Sequence, residues 1–304
     1  MLNKILCVAI LGAFSLLASA DAQSAPPATA RIKGQIVAAR VQGHVTAISK
    51  TTLESRVLRD GDQVSEDSIV VTAAGASVIL AFSNGATVDL GGDSRLKINE
   101  FEQDPFATDL KASEMKQEPG TSATKLYLTK GELVGRVAHL NVDKGSEFTV
   151  QTPVGAAGIR GTILRGLFIP LKGDKARISF ETFEGLIGYT PAGGGANGKG
   201  FILIPAGQKF EAIVDYNPKD PDNPEDWVPV VPPELNGVPL TPAEAAEFQS
   251  ELQAILLALQ DLIFHPFRGE LKAGGTIGGA IIDLNSPPLP APSLNAPTPG
   301  AGVP

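Results

Sequence analysis

Ala76-Ser77-Val78-Ile79-Leu80-Ala81-Phe82-Ser83-Asn84-Gly85-Ala86-Thr87-Val88-Asp89-Leu90 sets the fold class of this chain. Two apolar, β-branched runs, 76–82 and 86–90, flank Asn84-Gly85, a pair that accepts the positive φ of a tight turn. The same language extends outward on both sides. Runs at 68–72, 95–101, 125–129, 131–137, 147–151, 163–168, 177–181, 186–190, 201–204 and 209–214 are rich in Val, Ile, Leu, Thr and Phe. Asp60-Gly61 is a second turn pair between such runs. Apolar and polar residues alternate at 77–81 and in Arg95-Leu96-Lys97-Ile98-Asn99, which predicts strands with one wet face. No helix-period segment longer than two turns interrupts residues 31–214, so an alternating β-α-β architecture is excluded. The expectation is an all-β class, with many short strands in a solenoid-like or sandwich body. Periodicity alone does not separate these.

Composition agrees. Of 304 residues, Gly contributes 33 and Pro 24, well above the roughly 12% of average usage, and both interrupt helices. A net charge of −8 argues against a phosphate-neutralising surface, so nucleic acid is not an expected partner.

The N-terminus reads as an address. Lys4 precedes an apolar run at 5–17, and Ala18-Ser19-Ala20 or Ala20-Asp21-Ala22 supplies the small residues of a cleavage site. The run is shorter than the ~20 residues that span a bilayer. A signal peptide over 1–22 and a periplasmic or extracellular location are expected. The single cysteine, Cys7, lies inside this run, so the mature chain has no thiol for disulfides, thiolate metal sites or nucleophilic catalysis. The best later span candidate, 254–264, is short and carries Gln260 and Asp261, so no integral membrane span is expected after cleavage.

Beyond the β body, 31–214, the chain changes character. Sixteen of the 24 prolines lie in the last 87 residues. Residues 215–240 read as a Pro-rich acidic linker with Trp227 as its anchor. An amphipathic helix is expected over 241–265, with Thr241 as N-cap, Pro242 in the first turn and Glu244 completing a capping box. Phe248, Leu252, Ile255, Leu256, Leu259, Leu262 and Ile263 fall on one stripe. That stripe is expected to dock on the β body or on a second copy, because left open it would invite aggregation. The sharper alternative makes Phe248, Leu252, Leu256, Leu259 and Trp227 contacts for a partner. Residues 266–286 form a short glycine-containing segment, and 287–304 a Pro/Ala-rich tail expected to be disordered. Between Asp220 and Phe267 there are nine acidic residues and no Lys or Arg, which leaves the remainder close to neutral.

Catalytic and metal motifs fail on inspection. The stretch 193–200, Gly-Gly-Gly-Ala-Asn-Gly-Lys-Gly, lacks the hydroxyl and the helix of a phosphate-binding loop, so no nucleotide is expected. His44, His139 and His265 have no metal-ligand spacing. Asp220, Asp222, Glu225 and Asp226 lack the spacing of a calcium loop. No enzyme, cofactor or metal is expected; a pocket placing His44 or His139 beside paired carboxylates would reopen the hydrolase reading.

An ordered set of elements over residues 61–207 resembles the FecR-type domain of bacterial envelope proteins. It comprises Gly61-Asp62, Ser68-Ile69-Val70-Val71-Thr72, the strand leading to Asn84-Gly85, Leu126-Tyr127-Leu128 before Gly131-Glu132-Leu133, and Phe148-Thr149-Val150-Gln151-Thr152-Pro153. Ile159-Arg160-Gly161-Thr162 is its most specific element, and Glu184-Gly185 with Pro205-Ala206-Gly207 closes it. The positions Thr72, Asn84, Gly85, Gly131, Thr152, Pro153, Arg160, Gly161 and Thr162 read as structural, with Arg160 expected to bond carbonyls. Thr72-Ala73-Ala74-Gly75-Ala76 and Thr152-Pro153-Val154-Gly155-Ala156 echo one another and hint at a repeated β unit. Residues 102–124 read as an insertion. Relatives that regulate sigma factors carry a cytoplasmic segment and one membrane span, in whose place this chain has the signal, so that activity does not carry over. The resemblance implies an exported, non-enzymatic module for protein-protein interaction or signalling in the cell envelope, with an unidentified envelope protein as partner; a homo-oligomer is open. The alternative is a glycan- or surface-associated structural protein, which exposed aromatics in a groove would mark.

Overall fold

The Asn84-Gly85 turn joins two strands as expected, and the buried Asn84 side chain anchors it. Its Nδ2 donates to Ser122 Oγ at 3.1 Å and Thr124 Oγ1 at 3.2 Å, and its Oδ1 accepts from Ala86 N at 3.1 Å. A computed structural model of the chain describes residues 30–192, 201–216 and 237–266. The signal segment 1–22, the 193–200 loop, Trp227 with most of the linker, and everything from residue 267 lie outside the described residues.

The strands are β1 (Ile32–Lys33), β2 (Ile36–Gln42), β3 (Val45–Ser49), β4 (Ser55–Val57), β5 (Ser68–Thr72), β6 (Ser77–Phe82), β7 (Thr87–Leu90), β8 (Arg95–Gln103), β9 (Leu110–Lys111) and β10 (Ser122–Arg136). There follow β11 (Glu147–Thr152), β12 (Gly155–Ile159), β13 (Ile163–Leu171), β14 (Lys175–Glu184), β15 (Leu186–Pro191), β16 (Ile202–Pro205), β17 (Gln208–Asp215), β18 (Val238–Pro239), the helix α1 (Pro242–Ala258) and β19 (Ile263–Phe264). One sheet runs β4-β3-β5-β8-β10-β11-β12-β15-β16, with β1 on the far end of β8. The other runs β2-β6-β7-β10-β13-β14-β17-β18. Neighbours are antiparallel except β10 and β11. The all-β class read from the sequence is the one observed.

Strand β10 belongs to both sheets. Its first part pairs with β8 and β11, and from Gly131 or Leu133 onward it pairs with β13 and β7. The two runs read separately at 125–129 and 131–137 are therefore one bent strand. The bend falls at Gly131, whose φ is +100°. A Cβ there would stand 2.0 Å from Ser94 Oγ, so glycine is required both by the backbone and by the close approach. The core fills the space between the sheets. It takes Leu96, Ile98, Leu126, Leu128 and Val150 from one side and Val78, Leu80, Phe82, Leu133, Phe168 and Phe180 from the other.

One expectation fails instructively. Residues 77–81 were predicted to have a wet face, yet Ile79 and Ala81 are as buried as Val78 and Leu80. They point away from the core into a second apolar cluster with Val134, Ala112, Met115, Phe248, Ile255, Leu259 and Phe264. Helix α1 lies on this outer face, so β6 is covered on both sides and reads as a continuous apolar run. In β8 the alternation is kept only in part: Leu96 and Ile98 lie inside and Asn99 is exposed, but Lys97 is buried as well.

Helix α1 starts as read: Thr241 Oγ1 accepts from Glu244 N at 3.3 Å, and Glu244 Oε2 accepts from Thr241 N at 2.8 Å. It ends earlier than Pro266. Leu259 caps the helix, Gln260 N and Leu262 N turn back on Leu257 O and Leu259 O, and Ile263–Phe264 then pairs with β9. Leu262 and Ile263 are therefore not helical, because Phe264 is drawn into the apolar cluster by a short strand instead. Strand β9 lies within residues 102–124, so this segment and the C-terminal helix pack on each other.

Electrostatics reinforce the docking. Arg165, on β13, lies 2.9 Å from Glu132 on β10, 3.5 Å from Glu181 on β14, and 2.7 and 3.9 Å from Glu251 and Glu247 on α1. Lys209 pairs with Glu244. Burial pushes Glu132 and Glu181 up, against the pull of Arg165. Asp89 sits opposite Ile79 and Val134 on this outer face. Burial raises its carboxyl to about 6, Arg40 pulls it down, and Glu251 and Glu132 push it further up.

Two predictions follow from this packing. Gly131→Ala should cost roughly 2–4 kcal/mol, from positive φ and overlap with Ser94, read as a lower urea midpoint; an unchanged midpoint would remove the constraint. An acid whose pKa is raised on folding adds stability at low pH that is lost as pH rises from its unfolded value toward about 6. Asp89→Asn should therefore match the parent near pH 4 and exceed it above pH 6 by on the order of 2 kcal/mol. Parallel stability curves across that range would refute the burial of a charged Asp89.

Candidate interaction surface

The first sheet ends on β16, a four-residue strand paired with β15 alone among the described residues. Among the described residues no strand pairs with its other edge, and Pro205 at its end has no N–H to offer. The outward face beside this edge is unusually bare of side chains. In register across the sheet lie Thr149 on β11, Gly158 on β12, Gly188 on β15 and Leu203 on β16. Two glycines opposite one another leave a flat floor.

Phe201 lies over Gly188, where a Cβ would stand 2.5 Å from the ring. Glycine is what lets the ring settle on the strand. Phe201, Leu203 and Leu186 are 62%, 53% and 39% exposed and form an apolar wall. The opposite rim carries Val142, Glu147 and Arg160, and the hollow between measures about 370 Å³. Phe201 is the one aromatic among the strongly exposed large apolar side chains of the described residues.

The motif positions distribute around this surface and along the strand connections. Thr72 Oγ1 donates to Gly91 O at 2.6 Å and accepts from Ser94 N at 2.9 Å, holding the end of β5 to the β7–β8 turn. Thr152 Oγ1 donates to Gly155 O at 3.0 Å within the β11–β12 turn, where Pro153 is buried. The two echoing segments are thus different structures: residues 72–76 lead from one sheet to the other, whereas 152–155 is a hairpin within one sheet. Gly85, at φ +87°, packs against Ala138 and Met115. Thr162 is buried and donates to Leu186 O at 3.2 Å, and Gly161, at φ +71°, faces His139. Together they lock the β12–β13 and β14–β15 crossovers. Arg160 departs from its expected role. Its side chain is exposed on the rim and makes no hydrogen bond or ion pair among the described residues.

The helix positions weighed as partner contacts divide. Phe248 and Leu259 are buried beneath α1 against the chain's own second sheet, so they are closed to a partner while the helix is docked. Leu252 and Leu256 are half-buried. Trp227 lies outside the described residues. Sequence reading missed the groove itself. Its signal was two glycines, Gly158 and Gly188, inside otherwise ordinary strand patterns, followed by Phe201 and Leu203 at alternate positions.

His139 lines a separate hollow with Lys116, Arg136 and Glu184. One carboxylate stands there, not the pair that acid-base hydrolysis needs. His44 is exposed beside Thr46, at 3.3 Å, and His265 pairs with Asp109 at 3.0 Å. No group of three or more His, Cys, Asp or Glu side chains is placed to hold a metal ion among the described residues. Nor is any described helix long and apolar enough to cross a membrane.

A search of curated protein sequences finds no match. Two crystal structures of a protein from Parabacteroides distasonis ATCC 8503, proposed to be an anti-sigma factor, are similar at 11% identity, with TM-scores of 0.37 and 0.38. The likeness covers 61% of this chain and 64% of that one, just under two thirds of its length, and carries no functional weight. The family comparison is firmer and narrower than the 61–207 resemblance. It spans β5 through the middle of β15, including Asn84-Gly85, Gly131 and Arg160-Gly161-Thr162, and stops at the glycine beneath Phe201. Residues 68–188 match the family model FecR protein.

Proposed function

We propose that this protein is a non-enzymatic signalling module of the cell envelope that works by binding another protein along the β16 edge. The single observation that carries the reading is the glycine-floored groove beside a strand edge that no other described strand pairs with. A bound extended segment can continue the sheet through main-chain hydrogen bonds, while alternate side chains settle against Phe201, Leu203 and Leu186. Affinity then comes from the backbone and specificity from the wall. Membership of residues 68–188 in the FecR family supports a regulatory role over catalysis. The signal-like N-terminus supports a position outside the cytoplasm.

A sugar-binding surface is less well served by this geometry. Such sites present ring faces for stacking, and here one exposed ring already rests on Gly188. A wall of one phenylalanine and two leucines suits an aliphatic or aromatic peptide side chain better.

The test places a photo-reactive residue at Leu203 and, as control, at the exposed Asn99. Irradiated in the native envelope, the Leu203 position should give a discrete protein adduct and the Asn99 position none. The double change Phe201→Ala, Leu203→Asp should weaken binding of that captured protein by about tenfold or more, with the melting temperature kept. An adduct of twice the chain mass would reassign the edge to self-association. No adduct at Leu203, or capture indifferent to the double change, would sink the reading.

A further inference from the structure

Lys116, Arg136 and His139 converge on a hollow of about 340 Å³, walled also by Val137, Thr162 and Glu184. Main-chain bonds fix the convergence. Strand β10 ends at Arg136, and Val137 N donates to Thr162 O at 2.9 Å. The insertion runs alongside: His139 N donates to Lys116 O at 2.9 Å, and Glu118 N to His139 O at 3.0 Å. The imidazole stands against Gly161, where a Cβ would lie 2.7 Å from Nδ1. Lys116 and His139 are therefore held side by side by backbone, with Arg136 one turn of chain away.

The charge of this hollow is unbalanced. None of Lys116, Arg136 and His139 lies within ion-pair distance of a carboxylate among the described residues, and Glu184 is the only acidic residue in the wall. Arg136 Nη2 donates to Met115 O at 3.0 Å, whereas its Nη1 is shut off from solvent and has no hydrogen-bond partner among the described residues. Burial draws this guanidinium below the ordinary arginine range, with Glu184 pulling the other way. A half-buried cation with an unmet donor is costly, and an incoming oxyanion relieves that cost. The rest of the chain is acidic overall, so a local excess of positive charge stands out.

We propose that this hollow is a binding site for an oxyanion, a carboxylate or phosphate group, held by the Arg136 fork with Lys116 and His139 as further donors. Glu184 opposes the ligand electrostatically and sets its affinity. The site uses other residues than the β16 groove, so either can fail alone. Part of it comes from residues 102–124, the segment that reads as an insertion in the sequence.

Isothermal titration of the purified protein with inorganic phosphate and, separately, with citrate, at constant ionic strength in chloride, tests this. Saturable binding of at least one probe in the millimolar range is expected. Arg136→Gln should weaken it about tenfold or more and Glu184→Gln should tighten it roughly two- to fivefold, since one removes a charge-assisted bond and the other a repulsion. Binding of phosphate alone assigns a phosphate site, and of citrate alone a carboxylate site. Absence of saturable binding to both probes would overturn the proposal. So would a Glu184→Gln variant that binds no better than the parent; because Glu184 is exposed, this arm stands even where Arg136→Gln fails to fold.

Discussion

The contact between Gly131 and Ser94 is the constraint on which the rest of the structure depends. Strand β10 must leave one sheet and enter the other, and it does so where Ser94 Oγ lies against its backbone. Ser94 is in turn tied to Thr72, so the β5 end, the β7–β8 turn and the β10 bend form one junction. Because β10 supplies a central strand to each sheet, this junction sets the offset between the layers. The interdigitation of Leu126 and Leu128 with residues of the other layer follows from that offset.

The second layer carries a consequence of its own. Its outer face is apolar at Ile79, Ala81 and Val134, which the two sheets alone would leave in water. Helix α1 and the segment around β9 supply the cover, meeting each other through β9 and β19. Apolar burial gives this layer its strength, and Arg165 gives it orientation. One guanidinium serving carboxylates from β10, β14 and α1 fixes how the helix lies, whereas a purely apolar face would tolerate several angles. Burial leaves Asp89 and Glu132 raised, and the surplus of carboxylates around them adds to it.

What the sequence disclosed tracks what local chemistry controls. Turn glycines, strand runs and the capping box at Thr241 are set by backbone angles and near neighbours, and they were legible. Burial of Ile79 was not, because the residue that covers it, Phe248, lies far along the chain. The helix end was misread for the same reason. Leu262 and Ile263 keep the helical spacing, yet the pairing of β19 with a strand in the insertion decides their conformation. At the surface the limit is different. Arg160 lies in the most specific motif and was read as structural, but its neighbours Gly161 and Thr162 hold the crossovers and leave the arginine free.

That division within one tripeptide bears on function. Gly161 and Thr162 face the hollow of Lys116, Arg136 and His139, and Arg160 faces the glycine-floored groove on the other side of the same crossover. A segment lying in the groove meets Arg160 from one side, and an anion in the hollow meets Gly161 and Thr162 from the other. Thr162 is bonded to Leu186, which is part of the groove's apolar wall. The crossover is thus the shortest covalent and hydrogen-bonded route between the two surfaces. Gly161 has a positive φ and no room for a Cβ, so only glycine fits where the route passes the imidazole. The two recesses are lined by different residues, Phe201 and Leu203 in one and Lys116 and Glu184 in the other, so either surface can be altered without touching the crossover between them.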